Sequence, residues 1–95
     1  MIVWDEKKRQ ANLEKHGLDF RRAYLVFNNP NKITFFSPRE DERRLVDVAM
    51  VELAGRLLSL VYAERGDDIR VISFRVASRR ERRAYEQQQG QEGFD

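Results

Sequence analysis

Between residues 44 and 76 the chain carries three strand-like runs separated only by short turns, and this spacing restricts what it can fold into. The runs are Arg44 to Leu53, Leu57 to Glu64 and Ile69 to Val76. Ala54-Gly55 and Arg65-Gly66-Asp67-Asp68 join them, and connections this short suit hairpins, because parallel neighbours need a crossover of about a dozen residues or more. In the first run Val46, Val48 and Met50 share one face and Leu45, Asp47 and Ala49 the other. Ile33 to Phe36 adds a short strand before the loop Ser37-Pro38-Arg39-Glu40-Asp41.

Upstream the period is helical. Ile2 to Trp4 is a short apolar run suited to an edge strand. Asp5 is placed to cap a helix reaching about His16, where Gly17 supplies a left-handed stop. Ala11 and Leu13 are the only apolar interior residues of that helix, so one of its faces is expected to be solvated or functional. Asp19 caps a second helix in which Phe20, Ala23, Tyr24 and Phe27 form one buried stripe, and Asn28-Asn29-Pro30-Asn31 ends it. Phe20 and Phe27 are expected in the core.

Ser78-Arg79-Arg80-Glu81 fits a capping box that opens a helix to about Gln88. A flexible tail is expected over 87–95, outside a single domain at 1–86. The expected fold is α+β: two N-terminal helices, an antiparallel meander sheet of about four strands and a C-terminal helix, with the helices mainly on one face.

Composition narrows the chemistry. A chain of 95 residues without cysteine and with one histidine has no thiolate nucleophile and no multi-histidine metal cluster. Neither a metal nor a cofactor is expected. The acidic stretch Glu40-Asp41-Glu42 fits a solvated loop better than a metal site. With no membrane-length apolar run and no signal-peptide pattern at the start, a cytoplasmic protein is expected.

The net charge is only +2, but fourteen of the eighteen cations are arginine. They cluster: Lys7, Lys8, Arg9, Lys15, Arg21 and Arg22 face only Glu14 and Asp19, and Arg70, Arg75, Arg79, Arg80, Arg82 and Arg83 face only Glu81. A guanidinium fork suits phosphate, so nucleic acid is a reasonable partner, against the plainer reading that arginine is a good helix former on solvated faces. Lys8, Asn12 and His16, at i, i+4 and i+8, drift slowly around one helix face beside Lys15, and this is the best polar constellation in the sequence. A histidine at a helix C-terminus also has a structural explanation in the macrodipole.

Several motifs in series carry a resemblance. They run Trp4-Asp5-x-x-Lys8-x-x-x-Asn12-x-x-Lys15-His16-Gly17-Leu18-x-Phe20, then Ala23 and Val26-Phe27, then Glu42-x-Arg44, then Tyr62-x-Glu64-Arg65, then Ile72-Ser73-x-Arg75-x-Ala77-Ser78-x-x-Glu81-Arg82-x-x-Tyr85. From about Val3 to Glu86 the chain resembles the BrnT toxin family. Phe74 stands where the family strand usually has alanine, and Ala49 where a glycine is common.

The resemblance implies a type II toxin with a RelE-like ribonuclease fold. Such a toxin cleaves RNA and inhibits translation and growth, and is held inactive by a BrnA-like antitoxin. The complex represses its own promoter, so operator DNA is met only through the antitoxin, and a dimer or a heterotetramer with the antitoxin is compatible with that pairing.

Metal-independent RNA cleavage needs a base for the 2′-hydroxyl proton, cations for the phosphorane and an acid for the leaving 5′-oxygen. Within the matching motifs Arg44, Arg65 and Arg75 are candidate phosphate ligands, with Arg65 and Arg75 expected in the catalytic group. The base is open between His16 and Glu64. Glu64 shares a face with Arg75 if the turn at Gly66-Asp67 has two residues, and a three-residue turn reverses that. Lys8, Asn12, Lys15, Arg44, Arg79, Arg82 and Tyr85 are the candidate RNA contacts, although Glu81 is explained by the capping box and Tyr85 by packing on the sheet. The alternative is a non-catalytic nucleic-acid or protein-binding module.

Overall fold

In the computed structural model, residues 1–36, 43–51 and 55–93 are described, with side chains to residue 90. The expected 37–41 loop, the 40–42 acidic stretch, the end of the first long strand at 52–53 and Ala54 of the turn after it lie outside the described residues. The elements, in chain order, are β1 (Ile2–Val3), α1 (Glu6–His16), a 3-10 turn (Phe20–Arg22), α2 (Tyr24–Phe27), β2 (Ile33–Phe36), β3 (Arg44–Val51), β4 (Arg56–Arg65), β5 (Asp68–Val76) and α3 (Arg79–Gly93).

The chain is α+β, but its sheet differs from the expected four-stranded meander. Five strands lie in the order β1-β5-β4-β3-β2. The meander β2 to β5 is antiparallel, and the two-residue β1 adds in parallel to β5 through Ile2↔Ile69 and Val3↔Arg70. The sheet is therefore mixed.

Local chemistry explains the ends of the elements. Asp5 accepts from the Lys7 and Lys8 amides at 2.9 and 3.2 Å, and Gly17, at φ 72°, closes α1 with its N–H on the Leu13 carbonyl. Arg65 pairs with Asp68, so Gly66-Asp67 is a two-residue turn with its positive φ at Gly66, the pattern of a II′ hairpin.

The expected second N-terminal helix is instead a 3-10 turn followed by the single helical turn α2. Amides of Ala23, Val26 and Asn29 bond to carbonyls three residues back, at Phe20, Ala23 and Val26. A three-residue period aligns Phe20, Ala23 and Val26, and all three are buried. Tyr24, expected in the stripe, is exposed, and Phe27 is half-buried at the margin of the core.

Helices cover both faces of the sheet rather than mainly one. The 3-10 turn and α2 pack with Leu45, Ala49, Leu60, Tyr62, Val71 and Phe74 in the larger core. On the opposite face Tyr85 of α3 packs against Val46, Val48 and Leu57. The α3 helix continues past the expected end at Gln88 to Gly93.

The larger core contains a charge. Asp47, fully buried in the middle of β3, accepts from Lys32 Nζ at 2.7 Å, Thr34 Oγ1 at 2.6 Å and the Tyr62 hydroxyl at 3.1 Å. Phe27 stands edge-on to Tyr62, and the Lys32 ammonium lies 4.4 Å from the Phe27 ring centroid. Burial, then the Asp47 carboxylate, pushes the Tyr62 hydroxyl well above the usual tyrosine range. Removing one member of such a group strands the others. Asp47→Ala is expected to cost about 4 kcal/mol, measured by urea unfolding.

Candidate active site

The decisive local feature is one extra residue in β5. Tyr62 pairs with Val71 and Val61 with Ser73, so Ile72 has no partner across the ladder, and the register shifts there. This bulge reverses the alternation of every later β5 side chain. Val71 and Phe74 consequently both enter the larger core, three residues apart, opposite Tyr62 and Leu60. Arg75 moves to the α3 face, opposite Ser59.

The turn expected to place Glu64 beside Arg75 is present, yet the bulge separates them. Glu64 pairs with Ile69 on the Tyr62 side of the sheet, while Arg75 is on the other side. Glu64 is exposed and sits 3.3 Å from the Arg43 guanidinium, an open contact of small energetic weight.

The same register gathers the arginines. Ala63 is paired on one side with Arg44 and on the other with Arg70, so Arg44 and Arg70 flank one small buried residue across three strands. At about 4.8 Å per strand their Cα atoms stand about 10 Å apart. Arg65, two residues after Ala63, belongs to the same face, as do Ser73 and Arg75 beyond the bulge. The sheet thus puts Arg44, Arg65 and Arg75 on one face and adds Arg70, with Arg65 at the hairpin end and Arg75 about 20 Å further along the strands. A sequence signal for Arg70 exists: the apolar phase Ile69, Val71 shifts to Phe74, Val76, leaving Arg70, Ser73 and Arg75 as its polar complement.

Arg75 is held from below. Its Nη1 and Nη2 donate to the two Glu81 oxygens at 2.7 and 2.9 Å. Glu81 Oε1 also accepts from Ser59 Oγ and the Ser78 amide, each at 2.8 Å, and the Glu81 amide donates to Ser78 Oγ at 3.2 Å. The capping box is formed, and its carboxylate doubles as the anchor for Arg75. Burial pushes the Glu81 carboxyl up, but donors from Arg75, Ser78 and Ser59 outweigh it and hold its pKa down at about 2. The pair raises the Arg75 guanidinium in turn. A guanidinium has five N–H donors, so the ion pair leaves donors for a phosphate.

A second cationic group lies at the β5 edge. Lys8, Ala11, Asn12, Lys15 and His16 of α1 and Ile72 and Ser73 of the bulge line a shallow hollow of about 260 Å³. Lys8 and Lys15 are exposed and His16 is half-buried. Ser73 belongs both to this hollow and to the arginine face.

Asn12 differs from its neighbours on α1. It is buried, and its Nδ2 donates to the Leu18 and Phe74 carbonyls at 2.9 and 2.8 Å, while its Oδ1 accepts from the Phe74 amide at 3.2 Å. Because β1 covers only Ile69 and Arg70 of β5, the Phe74 peptide faces an open edge there, and the Asn12 carboxamide takes the place of a strand. Arg79 and Arg82 are exposed on α3, away from the buried Glu81, and Tyr85 is half-buried in the smaller core.

Residues 4–81 match the family described as the ribonuclease toxin, BrnT, of a type II toxin-antitoxin system. The chain belongs to this family. The BrnT match spans α1, the hollow, the arginine face and Glu81, and stops inside the first turn of α3. No curated protein matches the chain. The family is that of ribonuclease toxins of type II systems, which pair a toxin with an antitoxin. No helix among the described residues is long and apolar enough to cross a membrane.

Two measurements test these supports. Asn12→Ala, which leaves the Phe74 N–H and C=O without their partner, is expected to lower unfolding free energy by about 3 kcal/mol and to speed hydrogen exchange at the Phe74 amide. Because Glu81 titrates at about 2 in the fold against 4.5 ordinarily, its contribution is complete above about pH 4.5 and is lost as pH falls toward 2. Acid titration of stability is expected to lose about 3 kcal/mol over that window through this group, and Glu81→Gln to flatten that limb.

Proposed function

We propose that the chain is a metal-independent RNA endonuclease that acts in the cytoplasm, cutting RNA and so inhibiting translation and growth, in the RelE-like manner that the family resemblance implies. The observation that carries this reading is the placement of Arg44, Arg65, Arg70 and Arg75 on one face of a rigid sheet, beside a hollow that holds Lys8, Lys15 and His16.

Cleavage by the neighbouring 2′-hydroxyl builds charge on a pentavalent phosphorane, and fixed guanidinium donors stabilise that charge without reorganising. Arg75, locked by Glu81, is oriented before substrate arrives. His16 takes the 2′-hydroxyl proton from the hollow, with Ser73 marking where the hollow meets the arginine face; the 2′-oxygen bonds to phosphorus, the P–O5′ bond breaks, and the leaving 5′-oxygen takes its proton from water. A phosphate seated across this edge of β5 meets both groups. Glu64, on the opposite side of the sheet, has no part in this reading, and Asn12 serves it by holding α1 on β5.

Such a face left open would damage its own cell. A BrnA-like antitoxin is the partner proposed to cover it, and the pair is proposed to repress its own operon, with DNA contacted through the antitoxin.

Purified full-length chain incubated with RNA in EDTA is expected to give fragments ending in 2′,3′-cyclic phosphate. Arg70→Ala and Arg44→Ala, checked for retained fold by circular dichroism, are each expected to slow cleavage about a hundredfold. An intact RNA pool and unchanged growth on induction would refute the enzyme. RNA binding that falls with salt but leaves the strand whole would identify a non-catalytic binding module instead.

A further inference from the structure

The first two turns of α3 set four cations around a single acid. Arg79, Arg80, Arg82 and Arg83 surround Glu81 at the N-terminal end of the helix, where the macrodipole disfavours cations. The spacing also sets like charges one turn apart: Arg79 to Arg82 and Arg80 to Arg83 at i, i+3, and Arg79 to Arg83 at i, i+4. All four are exposed, and none pairs with a described carboxylate. Glu81, the one acid in this turn, is consumed by Arg75.

These arginines are not on the sheet face. Glu81 and Tyr85 mark the side of α3 that meets the sheet. At 100° per residue Arg79, Arg80 and Arg83 point away from it, and with Ala84 and Gln87 they line a shallow outward hollow of about 500 Å³. A helix about 10 Å across therefore stands between this ridge and the sheet arginines.

We propose that the outer ridge of α3, built on Arg79, Arg80 and Arg83, is a second binding surface for the phosphate backbone of RNA, separate from the sheet face and reached only by a strand long enough to pass around the helix. The ridge concentrates positive charge against local helix stability, which a polyanion offsets. The charged groups lining its hollow are all guanidinium groups, suited to phosphate. Protein interfaces centre on apolar anchors, and the exposed large apolar residues among those described are Met1, Leu13, Tyr24, Phe36, Met50 and Val76, none of them on α3. The surface thus fits a nucleic-acid backbone better than an acidic protein segment.

The inference deepens the RNA reading given above, and its test does not depend on cleavage. Full-length chain and the double variant Arg80→Gln/Arg83→Gln are titrated with 2′-O-methyl RNA, which lacks the attacking hydroxyl, in lengths of about six and about thirty nucleotides. For the long RNA the variant is expected to bind about tenfold more weakly, and the slope of log affinity against log salt to shrink by about 1.4, at about 0.7 per lost phosphate contact. For the short RNA the two proteins are expected to match. The thermal midpoint of the variant is expected to stay level or rise, since repulsive pairs are removed.

Unchanged affinity and slope for the long RNA would overturn the proposal, and equal losses for both lengths would merge the ridge with the sheet site and overturn its separateness. Capture of poly-glutamate in preference to RNA of equal charge, lost in the variant, would assign the ridge to an acidic protein segment and overturn it as well. Failure of the nuclease reading has a different signature: intact unmodified RNA in the cleavage assay, whatever the methylated strands show.

Discussion

Ile72 is the residue on which the arrangement of the cationic side chains depends. If Ile72 took an ordinary paired place in the ladder, Phe74 would lie opposite Ser59 and Arg75 opposite Leu58, so the phenyl ring would leave the larger core and the guanidinium would enter it. A charged group in that position would face a heavy desolvation penalty. The extra residue instead keeps Val71 and Phe74 both inside and presents Ser73 and Arg75 on the α3 side. Glu81 can then meet Arg75, and α1 can hold the open β5 edge through Asn12. Core packing, helix docking and the candidate site share this one local irregularity.

Two buried carboxylates tie separate segments of the chain together. On one side of the sheet Asp47 gathers Lys32, Thr34 and Tyr62 from the segment before β2, from β2 and from β4. On the other, Glu81 gathers Ser59, Arg75 and Ser78 from β4, β5 and the start of α3. Each carboxylate has its donors in place before any ligand arrives, which is the condition under which a buried charge is tolerated. The Glu81 group also fixes the direction of a guanidinium beside the cationic hollow. The stability of α3 and the readiness of Arg75 for a phosphate are thus served by the same carboxylate.

The parts of the candidate site were legible to different degrees. Lys8, Lys15 and His16 were legible because helical spacing is local, and the structure places them around one hollow with Ser73. Arg44, Arg65 and Arg75 were legible as residue types in motifs, while their shared face was not, because a face depends on register. Asn12 carried the same helical spacing as Lys8 and His16 yet faces inward to the Phe74 peptide. Its environment was set by the shortness of β1, which leaves that peptide uncovered. Glu64 was joined to Arg75 on the condition of a two-residue turn; that turn is present, and the bulge at Ile72, eight residues further along, undid the result.

The sequence by itself determined the hairpin strands, the Asp5, Gly17 and Ser78-to-Glu81 caps, a turn around Gly66-Asp67 whose length it left open, and the concentration of arginine in two segments. These follow from bonds and periods spanning a few residues. Tertiary structure alone decided that helices cover both faces, that Phe20, Ala23 and Val26 align on a three-residue period, that Asp47 is buried with three donors, and that four arginines share a face. The physical reason is that cross-strand pairing joins residues far apart in sequence, so one unpaired residue inverts the side on which all later side chains stand, with no change in the local propensities that the sequence displays.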